Sequence, residues 1–215
     1  MRAISSSTAF APALAEILEQ ATHAHHSEPS AACGGCLLAA EGALVAAMRR
    51  WEWFVKELLI DLMTGAQTTH PNGPHSTSNF PQPNRLDARR QLLRTRYSAH
   101  TSSITLKRQP AQYLLLHSPT MVAATAAYWL RDSSVEAVFR GCSQDIERLL
   151  QLRHGLAHGT PQSQKQSRDA MMALDPLTTF SSMGEFLLAP STVAPTSWLE
   201  FLLDSLVQWS VELSP

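Results

Sequence analysis

Apolar residues at Phe10, Leu14, Ile17, Leu18 and Ala21 recur at the spacing of one helix face and predict a short amphipathic helix that ends near His23. A longer stripe follows at Leu44, Met48, Trp51, Val55, Leu58, Leu59 and Leu62, about five turns, with Gly65 placed as its C-terminal stop. Between these stripes, residues 23–36 (HAHHSEPSAACGGC) read as a loop by their Pro, Gly and Ser content, and residues 66–84 hold four prolines and no period. A helix is expected over 85–97 with Leu86, Leu93 and Tyr97 on one side, then a small-residue run over 121–130. The SSVE at 133–136 has capping-box spacing and starts a short helix.

Ser143, read as an N-cap, opens a helix with Asp145 and Glu147 in its first turn, and GTP at 159–161 ends it at His158. Residues 160–195 look irregular apart from one helix around 166–174, and the last helix carries Trp198, Leu202, Leu206 and Trp209 on one face. No alternation is long enough for a sheet, so the expected fold is all-α, an up-and-down helical bundle. Residues 1–39 are read as an N-terminal helix and flexible loop, and 40–215 as the main helical domain.

With 44% hydrophobic and 16% charged residues in 215, the chain has enough apolar surface for a core and lacks the signature of a disordered protein. A net charge of −1 excludes global basicity as an argument for nucleic acid binding. Locally the picture changes. Arg85, Arg89, Arg90, Arg94, Arg96, Lys107 and Arg108 against Asp87 make residues 85–108 a +6 segment, which leaves −7 for the rest. No apolar run approaches 18 residues without a charge, the first twenty residues lack a signal peptide's pattern, and three cysteines are too few for a disulfide framework. The expected setting is cytoplasmic, with no membrane partner.

On the helix ending at His158, the apolar positions Ile146, Leu149, Leu150, Leu156 and Ala157 have their centre almost on Arg153 at 100° per residue. A guanidinium pointing into an apolar face needs a carboxylate, a subunit interface or an anionic ligand. The structural partner on offer is Glu52, flanking the long stripe, and both readings stand at this point. His158 sits at the C-terminal end of this helix, beside the negative end of the helix dipole.

Residues 146–159 read IERLLQLRHGLAHG, with Arg153, His158 and Gly159 late in an apolar helix. Upstream, residues 47–58 read AMRRWEWFVKEL. Together, in this order, they resemble the catalytic helix and the first long helix of HEPN-domain ribonucleases, whose signature is Arg, four to six residues, then His. Position 154 is His where that family commonly has Asn. The resemblance covers roughly 40–160.

That resemblance implies a HEPN-like bundle and metal-independent cleavage of RNA, to 2′,3′-cyclic phosphate and 5′-OH ends, at a site where two protomers meet. Arg153 and His158 would be the catalytic residues, with His154 and Glu52 in support. It further implies a homodimer, a toxin or defence role with an antitoxin-like protein partner, and no metal or other cofactor. The 85–108 cations would then track RNA phosphates without reading sequence; read from charge alone, they are a solvated helix face. HEPN-like bundles also serve as inactive modules that bind RNA, a nucleotide or a protein, and this is the alternative class.

Two further spacings carry metal chemistry elsewhere. His154 and His158 are i, i+4 but lack the intervening Glu and a third ligand, and Cys33–Cys36, near His23, His25 and His26, lacks a second C-x-x-C. Incidental thiols in a loop are the simpler reading. Trp53, opposite the apolar stripe, is a candidate interface residue.

Overall fold

The computed structural model describes residues 5–27, 33–66, 77–111, 116, 118–131 and 134–213. The chain is an all-α helical bundle, with nine helices and two short strand pairings among the described residues. Its residues group into two compact units, each assembled from segments distant in sequence. One unit comprises Phe10–Trp51 with Glu147–Gln208; the other comprises Met1–Ala9, Glu52–Ile146 and Trp209–Pro215.

Helix α1 (Ser5–Ser27) belongs to the first unit from Phe10 onward, contributes the buried Phe10, Leu14 and Ala21 from the expected face, and runs four residues past His23. The long helix α2 (Gly34–Met63) begins ten residues before Leu44, so part of the expected 23–36 loop is helical; residues 28–32 lie outside the described residues. The stripe continues upstream through buried Cys36, Ala40 and Ala43, residues too small to stand out from a Gly- and Ala-rich background. Cys33 stands at the entrance of α2, where its Sγ and carbonyl oxygen accept from the Cys36 N–H at 3.4 and 3.0 Å. The Phe10 and Trp51 rings pack 5.8 Å apart.

Also in this unit are the end of α6 (Ser143–His158), α7 (Pro161–Leu174), α8 (Met183–Leu188) and most of α9 (Trp198–Leu213). The one helix expected within 160–195, around 166–174, is α7, which starts five residues earlier at Pro161, and α8 forms where irregular chain was expected. Each has a sequence signal. Thr160 accepts from the Ser163 N–H at 3.2 Å with Pro161 behind it, and Ser182 accepts from the Glu185 N–H at 3.1 Å. Glu185 in turn accepts from the Ser181 hydroxyl and N–H at 2.6 and 2.7 Å, which hold its carboxylate below the ordinary 4.5; α8 loses that support as pH falls. Gly184 lies against α2: a Cβ there would come within 2.7 Å of Leu37 Cβ and 2.9 Å of Leu37 Cα, and its N–H donates to Glu41 at 3.0 Å.

The second unit holds the rest of α2, whose Phe54, Leu58, Leu59, Leu62 and Met63 are buried. Gly65 ends that helix at φ +85°, the left-handed conformation that a stop there requires. Of the expected 66–84 loop, 67–76 lie outside the described residues, but its last part is tied down. The short strand β1 (Thr77–Ser78) pairs antiparallel with β4 (Leu130–Arg131), and Asn79 Nδ2 donates to the Tyr128 carbonyl at 3.1 Å.

The expected helix over 85–97 stops early. The helix α3 (Arg85–Arg94), capped by Asn84 on the Asp87 N–H at 2.9 Å, gives way to β2 (Thr95–Ser98), which pairs antiparallel with β3 (Ser103–Leu106). β-Branched and aromatic residues in TRYS and SITL outweigh continuation of the helix. The buried face of α3 is Ala88 and Leu92, while Leu86 is 57% exposed. Helix α4 (Pro119–Trp129) packs on α5 (Ser134–Gly141); Ser133, expected to cap α5, lies outside the described residues.

Candidate functional site

Helix α6 occupies the span expected from sequence, Ser143–His158, but its start differs in detail. The Cys142 carbonyl accepts the first helical bond from Ile146 at 3.0 Å, and the Ser143 hydroxyl donates back to the Arg140 carbonyl at 3.1 Å. Cys142 is therefore the cap position, and a single residue separates α5 from α6. Its buried thiol donates to the Val138 carbonyl at 3.0 Å, and burial pushes it up to about 11.

Ile146, Leu149, Leu150 and Leu152 are buried on α6, whereas Leu156 is half-buried and Ala157 exposed. The stripe is thus shorter than expected, and the direction of its centre still falls close to Arg153. Arg153 is half-buried with its Nε out of solvent. The helix closes at exposed His158 and at Gly159, whose φ of +58° turns the chain out of the helix in two residues.

Thr160 then caps α7, which returns to meet α6 at Gly155. A Cβ at Gly155 would lie 2.4 Å from Ser167 Oγ and 2.5 Å from Ser167 Cβ, so only glycine admits this approach. The α7 contact thus falls between Arg153 and His158 along the chain. On α6 itself, the structure brings His154 and His158 together, with ring centroids 5.4 Å apart. Arg153 leaves the same helix about 140° around from His158. Glu52 is half-buried on α2, with Oε1 out of solvent, and the adjacent Trp53 is 43% exposed.

The basic segment divides by role. Arg85 is held by Glu57 and by buried Asp61, an i, i+4 pair of acids on α2. Sequence reading assigned Arg85 to RNA and missed these partners; the signal was two acids one turn apart beside an apolar stripe. Arg90 pairs with Asp87 at 3.4 Å on the exposed surface, and Arg94 Nε donates to the Lys107 carbonyl at 3.1 Å. Arg89, Arg96 and Arg108 are exposed, and Lys107 half-buried.

Among the described residues, no group of three or more His, Cys, Asp or Glu is placed to hold a metal ion, and no helix is long and apolar enough to cross a membrane. Comparison with family models, curated proteins and solved structures finds no match to the chain.

Proposed function

We propose that the chain is a HEPN-type endoribonuclease that cleaves RNA without a metal, with Arg153 and His158 as its catalytic residues. One observation carries this reading: a half-buried arginine at the end of the α6 apolar stripe, followed after five residues by an exposed histidine at the helix terminus. Arg153 binds the scissile phosphate and holds the added charge of the pentacoordinate transition state. A histidine takes the proton from the ribose 2′-OH as that oxygen attacks phosphorus, or returns one to the departing 5′-oxygen as the P–O5′ bond breaks. The products are a 2′,3′-cyclic phosphate and a 5′-OH end.

The exposed Arg89, Arg96 and Arg108 supply phosphate contacts that do not depend on base identity. The working unit is a homodimer, because one helix presents Arg153 and His158 in directions about 140° apart and a two-fold axis beside α6 supplies the missing partner from the second copy. An antitoxin-like protein is the partner such an activity calls for, and the cytoplasm is the setting in which RNA is met.

The deciding experiment incubates purified protein with mixed RNA in chelator and analyses the ends. We expect cleavage with cyclic phosphate ends, reduced about 10²- to 10³-fold by Arg153→Ala and by His158→Ala, and largely retained by His154→Ala and His100→Ala. Full activity in either of the first two variants overturns the assignment. RNA retention with no cleavage, by folded wild-type protein, points instead to an inactive binding module.

A further inference from the structure

Within the second unit, α3, the β2–β3 hairpin and α4 enclose a cleft of about 260 Å³. Its walls include the apolar residues Leu92 and Leu116, both buried, and the hydroxyl-bearing Thr125, 1% exposed. Tyr97 lines it from β2, and exposed Arg96 and half-buried Lys107 add two cations. No carboxylate stands among the described lining residues.

The walls are fixed before any ligand arrives. Trp129 Nε1 donates to Thr95 Oγ1 at 3.1 Å, whose hydroxyl donates to the Gln91 carbonyl at 3.2 Å. The Lys107 N–H donates to the Arg94 carbonyl at 2.7 Å while Arg94 Nε donates to the Lys107 carbonyl, and the Ala111 N–H donates to Leu93 at 3.0 Å. These bonds tie the end of α3 to both hairpin strands and to α4. A preformed cleft loses little ordering entropy on binding.

We propose that this cleft binds a small organic anion, one negatively charged head on an apolar or aromatic body. The head fits Arg96 and Lys107, two cations with no carboxylate beside them among the described lining residues. The body fits the leucines and the Tyr97 ring, whose face is suited to stacking. The volume sits just below the ~300–1,000 Å³ of clefts that take drug-sized molecules, which limits the ligand to a single compact unit. All of these residues belong to one unit, and the cleft is present whether or not the chain cleaves RNA.

Isothermal titration with three matched probes tests it: 2-naphthoate, its neutral counterpart 2-naphthalenemethanol, and inorganic phosphate as a head without a body. We expect 2-naphthoate to bind with Kd of about 0.1–1 mM, tighter than either other probe. Arg96→Gln and Lys107→Gln should each weaken it by about two- to fivefold, the size of a partly exposed ion pair. Arg96 is exposed and Lys107 half-buried, and circular dichroism of each variant checks that the fold is kept. A parallel titration with adenosine monophosphate assigns the source: tighter than naphthoate and weakened in the same variants means a nucleotide, and weaker means a carboxylic acid. No naphthoate binding to folded protein at millimolar concentration, equal binding of the alcohol, or indifference to both Gln variants overturns the proposal.

Discussion

Two glycines in helices show how one methyl group changes sign with its surroundings. At Gly155 an added Cβ meets Ser167 at 2.4 Å, whereas at exposed Gly42, inside α2, nothing lies within 4 Å. Gly155→Ala should therefore destabilise the protein by about 1–3 kcal/mol through overpacking. Gly42→Ala should stabilise it by about 0.5–1 kcal/mol through the unfolded chain's lost freedom. Thermal melting of the two variants beside wild type checks both, at about 2–4 °C per kcal/mol for a chain of this size. Cys142 gives a pH test with a definite sign. Its folded-state pKa of about 11 lies above the ordinary 9.0, so its contribution to stability is complete below about pH 9 and is lost as pH rises towards 11, where the unfolded chain ionises first. Wild type should lose more melting temperature across that window than Cys142→Ala.

At the level of elements, the Arg85 ion pairs join the first residue of α3 to the last turns of α2. Asp61 Oδ2 has no hydrogen-bond partner among the described residues, so Arg85 is the cation on which this buried carboxylate depends. Arg85→Gln should cost about 1–3 kcal/mol in denaturant unfolding. Arg89→Gln should leave stability within about 0.5 kcal/mol, and if Arg89 contacts RNA it should lower the salt slope of binding by about 0.7. Elements with large side chains at helical spacing were legible in the sequence: the 44–63 stripe, the full span of α6 and the stops at Gly65 and Gly159 match the structure. Those written in small or polar residues were not. The upstream part of α2 hides in Gly and Ala, and the first turn of α7 lies in polar residues ahead of the 166–174 helix that the sequence does predict. The capping boxes at Ser182–Glu185 and Ser197–Glu200 were available as signals, since each pairs a serine with a glutamate three residues on. At the candidate site, the Arg153 direction followed from periodicity, while the α7 contact at Gly155 did not, because nothing local to a glycine announces which helix will press on it. The same holds for the cleft beneath the hairpin: it joins residues from Leu92 to Thr125 that share no local pattern.

At the scale of the whole molecule, the proposed dimer predicts complementation between defective chains. Arg153→Ala co-expressed with His158→Ala should yield a mixed dimer that retains one intact Arg–His combination and recovers part of the RNA cleavage; two inactive chains with no recovery would place both groups in one protomer. A wild-type protein that cleaves RNA while monomeric at micromolar concentration, in light scattering, would also remove the trans arrangement. The seat of Gly184 on Leu37 and Glu41 bears on how the chain comes to fold. The two sides of that contact lie 143 residues apart, so the start of α2 leaves the ribosome long before the segment that covers it exists. At synthesis rates of about 5–20 residues per second, α2 waits on the order of ten seconds with its Leu37 side uncovered. The loop to be closed is nearly as long as a typical domain, and such late, non-local closure slows folding and lengthens exposure to chaperones and proteases. The longest of the described helices, made early, is among the last to be finished.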